Sequence, residues 1–272
     1  MRVRSRSFLV VAVPVAGILS AAYLGLSPTR LWPGEGHWRV LGQFVGAAFS
    51  PTLTSESDLA INILPRTLRA TWNTVVFAVA AISLSIVGGA ILAVVASERW
   101  WRLFPVTRSV RPLLYGSARA LIAFMRSIHE IIWALALLAA FGLNTVAAVI
   151  AISIPYAGTL AKVFSEMLDE APDDAAQALR MAGASSLQVF AFGLVPRALP
   201  DMGAYAFYRF ECALRSAAIL GFFGFPTLGK YIYESCGELY FREAWTYLYA
   251  LVALIVVVEL WSGALRRRLT VV

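Results

Sequence analysis

The 272 residues are 60% hydrophobic and only 14% charged, with a mean hydropathy of +0.73. A soluble domain carries about a quarter charged residues, so this composition argues against a water-soluble globule and for an all-α, polytopic integral membrane protein. Two cysteines (Cys212, Cys236) and two histidines leave neither a disulfide scaffold nor a zinc site of ordinary ligand spacing, and no metal or cofactor is expected. The net charge of +7 raises nucleic acid as a partner, but no basic helix or base-stacking motif accompanies it.

Crossing a hydrocarbon core of about 30 Å takes roughly 20 apolar residues. Six such spans follow in chain order, at residues 8–26, 72–96, 113–141, 145–164, 198–223 and 243–265. The first follows Arg2, Arg4 and Arg6 and is long for the apolar core of a signal peptide, so it reads as a retained helix. The second is entered from Pro65. The third holds Arg126, His129 and Glu130 in its middle. Residues 1–65 thus form an anchor helix and an external segment, with Pro28, Pro33, Pro51 and Pro65 and a short surface helix around 58–64; residues 66–272 form the core. No internal repeat is visible, which separates the chain from many secondary transporters.

With the N-terminus inside, thirteen Lys and Arg fall in internal segments, Arg108 among them, six fall outside, Arg30 among them, and four lie within spans. That asymmetry places both termini in the cytoplasm, and the excess charge reads as orientation.

The segment 166–200 is too regular for a connector. Pro172 suits a helix start, Asp173 and Asp174 complement the dipole of the first turn, and Gly183 is a natural terminator. Ser185 and Gln188 make a capping box for a second helix that Pro196 limits. Leu187, Phe190, Ala191 and Leu194 form one apolar stripe. The stripe either packs under its own bundle or docks in a groove of a cytosolic partner.

This loop resembles the EAA motif of ABC-importer permeases: Gly183 and Pro196 keep its spacing, and Gln177-Ala178-Leu179 stands in place of Glu-Ala-Ala. Together with the stretches RSIHEIIWALALLAAFGLN from Arg126 and YRFECALRSAAILG from Tyr208, it makes residues 66–265 similar to the phosphonate-type permease family. The resemblance implies a type I (MetI-like) bundle in a bacterial inner membrane, paired with a second permease copy, identical or related. It further implies two cytosolic ATPase subunits and an extracytoplasmic substrate-binding protein. The chain has no GxxxxGK[ST] loop, so hydrolysis belongs to a partner. Coupling to the ATPase falls on Asp174, Gln177, Ala178, Gly183, Leu187, Phe190 and Pro196. Gln177 replaces the family's Glu, and Asp173 or Asp174 is a candidate to substitute for it. The Gly-rich turn after the fifth span keeps Gly221, Gly224 and Gly229 as gate candidates, whereas Pro226 and Thr227 fill two positions expected to be Gly.

Charge at mid-bilayer costs about 2.5–3.5 kcal/mol even on lenient scales, so it faces protein or water. Glu211 with Arg215, and Arg126 with Glu130, are i,i+4 and can pair. Either they are structural ion pairs, or these residues and Arg209 line a path for an anion. His129 and Glu130 lack the nucleophile that an enzyme would need within hydrogen-bond reach. The substrate that the resemblance implies is a phosphonate or related phosphorus oxyanion. Permeases for methionine or a quaternary amine, and a secondary transporter or channel, are the alternatives.

Overall fold

The computed structural model describes residues 2–26, 34–58, 61–104 and 110–270, with the backbone alone described for 2–11, 35, 269 and 270. Pro28, Arg30, Pro33 and Arg108 lie outside the described residues, as do the side chains of Arg2, Arg4 and Arg6. The chain divides into two compact units, residues 1–50 and 51–272.

The first unit holds α1 (Arg2–Tyr23), which accommodates Pro14, and α2 (Glu35–Ala48). The described apolar stretch of α1, Ala12–Tyr23, is shorter than a membrane span. Helix α2 falls where the sequence suggests only an irregular external segment.

The second unit opens with residues 51–63, where an isolated antiparallel bridge joins Thr54 to Asn62. The surface helix expected around 58–64 is replaced, among the described residues, by this bridge and by the start of α3 (Leu64–Ala96). Pro65 sits in the first turn of α3, where its missing N–H costs nothing. The chain continues through α4 (Glu98–Leu103), α5 (Val110–Ser127), α6 (Glu130–Phe141), α7 (Thr145–Glu170) and α8 (Asp174–Met181). Next, α9 (Ser186–Gln188) runs through a π turn (Val189–Leu194) into α10 (Val195–Ile219) and a 3₁₀ turn (Leu220–Phe223). Helices α11 (Leu228–Gly237) and α12 (Phe241–Thr270) complete the unit.

Helix α7 is central, and its contact with α3 is built from small residues. Ser85 and Gly89 of α3 face Ser153 and Ala157 of α7, so closely that a Cβ on Gly89 would come within 2.8 Å of Leu160 Cβ. Ser85 Oγ donates to Ser153 O (3.2 Å) and Ser153 Oγ to Ala81 O (3.1 Å), so each hydroxyl reaches across the gap. Lipid supplies no hydrophobic drive for helices to associate, and close backbone packing with interhelical hydrogen bonds supplies it instead. Phe77, Ile152, Leu160, Phe164 and Leu214 fill the surrounding core.

Among the described residues, three helices are long and apolar enough to cross a membrane: Leu64–Ala96, Thr145–Glu170 and Phe241–Arg268. The number rises to five if each of two bent pairs counts as one span. The six spans expected are therefore not all found among the described residues. The third expected span is broken, because α5 and α6 meet at 90°. His129 leaves the helical region there (φ −67°, ψ 146°) and becomes the N-cap of α6. The fifth runs unbroken to Phe223, and a 49° bend follows it before α11.

Candidate functional site

Glu130 of α6 and Arg266 of α12 meet polar and charged side chains of α10. Ser216 Oγ donates to Glu130 Oε1 at 2.8 Å, and Tyr156 Oη lies 2.9 Å from the same Ser216 oxygen. A hydroxyl has one proton, so with Ser216 donating to the carboxylate, Tyr156 must donate to Ser216. A polar chain Tyr156–Ser216–Glu130 therefore ties α7, α10 and α6 together. His129 Nδ1 lies 3.4 Å from Glu130 Oε2 and 3.4 Å from Ile131 N. Its Nδ1 accepts from Ile131 N and so caps α6.

Arg209 is held by aromatic rings. Its guanidinium carbon lies 5.4 Å from the Tyr205 ring centroid, 5.7 Å from Tyr156 and 6.0 Å from Tyr208, and Nε donates to Tyr205 Oη at 3.0 Å. It forms no ion pair among the described residues. Ring faces stabilise a cation by about 0.5–2 kcal/mol each without neutralising its charge.

Neither i,i+4 pair forms. Glu211, buried, accepts from Arg266 Nη2 of α12 at 2.9 Å. Arg215 is exposed, with a 3.9 Å approach of Nη2 to Cys212 Sγ. Packing of α10 on α12 thus supplies a charged partner that spacing along one helix could not reveal. Arg126 and Glu130 are separated by the break at 128–129, so they no longer share a helix. Arg126 stays exposed, while its aliphatic stem passes Gly158, where an added Cβ would come within 3.1 Å of Arg126 Cγ.

The loop between α7 and α10 has the expected terminators. Gly183 takes φ 79°, with Gly183 N donating to Arg180 O (3.0 Å) and Ala184 N to Leu179 O (2.9 Å), a Schellman closure. Ser185 Oγ and Gln188 form the capping box reciprocally. Two details differ. Pro196 ends nothing: the helix relaxes through the π turn and continues, with Pro196 in the first turn of α10. The apolar stripe is also split. Phe190 and Leu194 are buried, Phe190 edge-on to Trp100 with ring centroids 4.9 Å apart, whereas Leu187 is exposed. Asp174, Gln177, Ala178 and Gly183 are exposed as well. Asp173 Oδ1 accepts from Arg99 Nη1 at 2.8 Å, so its carboxylate is already engaged.

The turn after the 3₁₀ segment is a close backbone crossing. A Cβ on Gly221 would fall on the Lys230 backbone nitrogen, and one on Gly229 would fall on the Ala218 carbonyl oxygen. Gly224 takes φ 99°. Pro226 O accepts from Asn73 Nδ2 (2.9 Å), Thr227 Oγ1 donates to Ala218 O (3.0 Å) and Leu228 N to Thr74 Oγ1 (3.2 Å). Of the two departures from a Gly-rich turn, Thr227 fastens the turn to α10 through its own hydroxyl, whereas the Pro226 contact with α3 uses a backbone carbonyl that any residue would offer.

Sequence reasoning missed the tyrosines and Ser216. Tyr205 lies one turn before Arg209, a spacing that could have flagged it; Tyr156 comes from another helix and left no such signal. It also missed Glu243, a buried carboxylate that accepts from Ser55 Oγ (3.3 Å), Glu56 N (3.1 Å) and Tyr247 Oη (3.2 Å) and so fastens residues 55–56 to α12.

Residues 104–271 match the family described as binding-protein-dependent transport system inner membrane component. The phosphite transport system permease protein PtxC of Stutzerimonas stutzeri is 26% identical over 86% of this chain and 91% of its own. The phosphate-import permease protein PhnE of Mycolicibacterium smegmatis is 30% identical over 59% of this chain and 30% of its own. Among solved structures, a chain of the MetNI methionine ABC transporter in an inward-facing conformation superposes with TM-score 0.66. It is 22% identical, over 80% of this chain and 100% of that one, a likeness of fold.

Proposed function

The chain belongs to the binding-protein-dependent transport system inner membrane component family, and from that premise we propose that it is the transmembrane permease subunit of an ABC importer for a phosphorus oxyanion. It works as one of two permease copies in a bacterial inner membrane. Two cytosolic ATPases grip the loop around Gly183, and a binding protein delivers substrate from outside.

The observation that carries the substrate class is the state of the arginines. Arg209 rests on three tyrosines without a carboxylate, and Arg126 and Arg215 are exposed with no ion pair among the described residues. Positive charge that is held in place yet not neutralised lowers the barrier for an anion without trapping it, as a conduit requires. Glu211 is paired with Arg266, which lessens its repulsion of an anion. The phosphite and phosphate named for the two relatives are anions of this class. Gly221, Gly224, Pro226 and Gly229 stand at the opposite end of α10 from the loop, where a gate would lie.

The test is uptake by proteoliposomes holding the permease, its ATPase and its binding protein. ATP-dependent uptake of phosphite, phosphate or a phosphonate is expected, with methionine and a quaternary amine excluded. Uptake of methionine in their place would overturn the substrate class, and uptake independent of ATP would overturn the transporter class.

A further inference from the structure

Resting on the ATPase coupling proposed above, we propose that this loop end accepts an acidic side chain from the ATPase rather than offering one: a partner carboxylate seats between Arg102 and Arg180. A cavity opens there between α4 and α8. Its floor is the buried apolar surface of Leu103, Ala176 and Leu194, and its rim carries Arg99, Arg102, Arg180, Asp173 and Gln177.

The charges do not balance. Asp173 is taken by Arg99 at 2.8 Å. Arg102 reaches Glu98 only at 3.6 Å with both side chains more than half exposed, a contact worth about 0–1 kcal/mol. Arg180 has no ion pair among the described residues. Arg180 is therefore free to receive an anion and Arg102 is held only by a weak, exposed contact, and Gln177 adds an amide donor without adding negative charge.

The receiving groups are held ready. The Asp169 carboxylate accepts from Ser97 Oγ (2.6 Å), Arg99 N (3.1 Å) and Glu98 N (3.2 Å), which pins the start of α4 to α7. Arg99 and Arg102 are thereby presented on a fixed helix, which reduces the ordering cost of binding.

The occupant belongs to a protein rather than being a free ion. On the same helix–turn–helix unit Met181, Leu187 and Phe192 are 91%, 58% and 70% exposed. A docked protein surface removes that apolar area from water, whereas a small anion leaves it wet. A doubly charged phosphate would also lie against the Asp173 carboxylate, which a singly charged side chain tolerates better.

The experiment uses the full transporter purified with its ATPase. Arg180→Glu should reduce ATPase retention by at least about tenfold, since reversing a charge opposite a like charge penalises the interface. Arg180→Lys keeps the charge, retains the ATPase, and should be joined to an Asp or Glu of the ATPase by a zero-length carbodiimide. Should Arg180→Glu aggregate, the Arg180→Lys cross-link decides alone. Wild-type retention by folded Arg180→Glu, or a cross-link from the Arg180→Lys variant that never reaches the ATPase, overturns the proposal. Protection of the introduced amine from labelling by millimolar inorganic phosphate, without ATPase, assigns the cavity to a free anion and also overturns it. If the wild-type permease retains no cassette ATPase, the importer function itself fails.

Discussion

Arg266→Ala should destabilise the bundle markedly more than Arg215→Ala does. Glu211 is 7% exposed, and its Oε1 accepts from Arg266 Nη2 at 2.9 Å. Removing one partner of a buried ion pair costs about 3–5 kcal/mol, because the remaining charge is left without compensation. The Arg266 side chain keeps 31% exposure, so water reaches that end of the pair and the expected loss falls to about 2 kcal/mol. Arg215→Ala should cost under about 0.5 kcal/mol, since Arg215 is exposed and touches no carboxylate. Glu211→Gln in the Arg266→Ala background should recover part of the loss, an orphaned amide costing less than an orphaned carboxylate. The measurement is the unfolding midpoint in detergent for the three variants, with monodispersity confirmed by gel filtration. If Arg215→Ala lowers the midpoint as far as Arg266→Ala does, Glu211 takes its partner from its own helix and the interhelical pairing is refuted.

Three further outcomes are expected. Ser216→Ala leaves Tyr156 Oη and Glu130 Oε1 unpaired and should cost about 1–3 kcal/mol; adding Tyr156→Phe should restore part of it, and strictly additive losses by denaturant titration would argue against the polar chain. Arg209→Gln should fold normally and slow uptake of the anion at unchanged ATPase retention, while Arg209→Lys keeps part of the rate; normal uptake by Arg209→Gln removes it from the path. Gly183→Pro removes the N–H that bonds Arg180 O and forbids φ 79°; it should leave the permease in the membrane but detach the ATPase, which a pull-down reads directly.

Features that live within one stretch of chain were legible in the sequence. The capping box at Ser185 and Gln188 and the turn at Gly183 follow from side-chain chemistry acting over a few residues. The long apolar helices were likewise visible in composition. What spacing concealed was each choice made by tertiary packing. Glu211 had two arginines within reach in principle, and only the docking of α10 on α12 selects Arg266. The break at His129 was invisible because apolar residues on either side read as one hydrophobic run, whereas the interruption comes from backbone conformation at residue 129. Phe190 belongs by period to a stripe that could pack under its own bundle or dock on a partner, and Trp100 of α4 covers it. Periodicity shows which face is apolar and is silent on what the chain itself lays over that face.

The π turn at Val189–Leu194 lets a proline pass without ending the helix, so the chain from Ser186 to Phe223 behaves as one rod. At 1.5 Å per residue it spans on the order of 50 Å. One end stands beside the arginine cavity, the middle carries Arg209 and Ser216, and the far end stops at the glycine crossing of Gly221 and Gly229. Tilting such a rod about its middle moves the two ends in opposite senses, so a push at one face of the membrane becomes a pull at the other without a chain of intermediaries. Under the coupling proposed above, timing between the loop end and the glycine crossing is then a matter of stiffness. The π turn at Val189–Leu194 departs from the regular i→i+4 ladder, so substitution there is the direct way to change that stiffness while leaving both ends chemically intact.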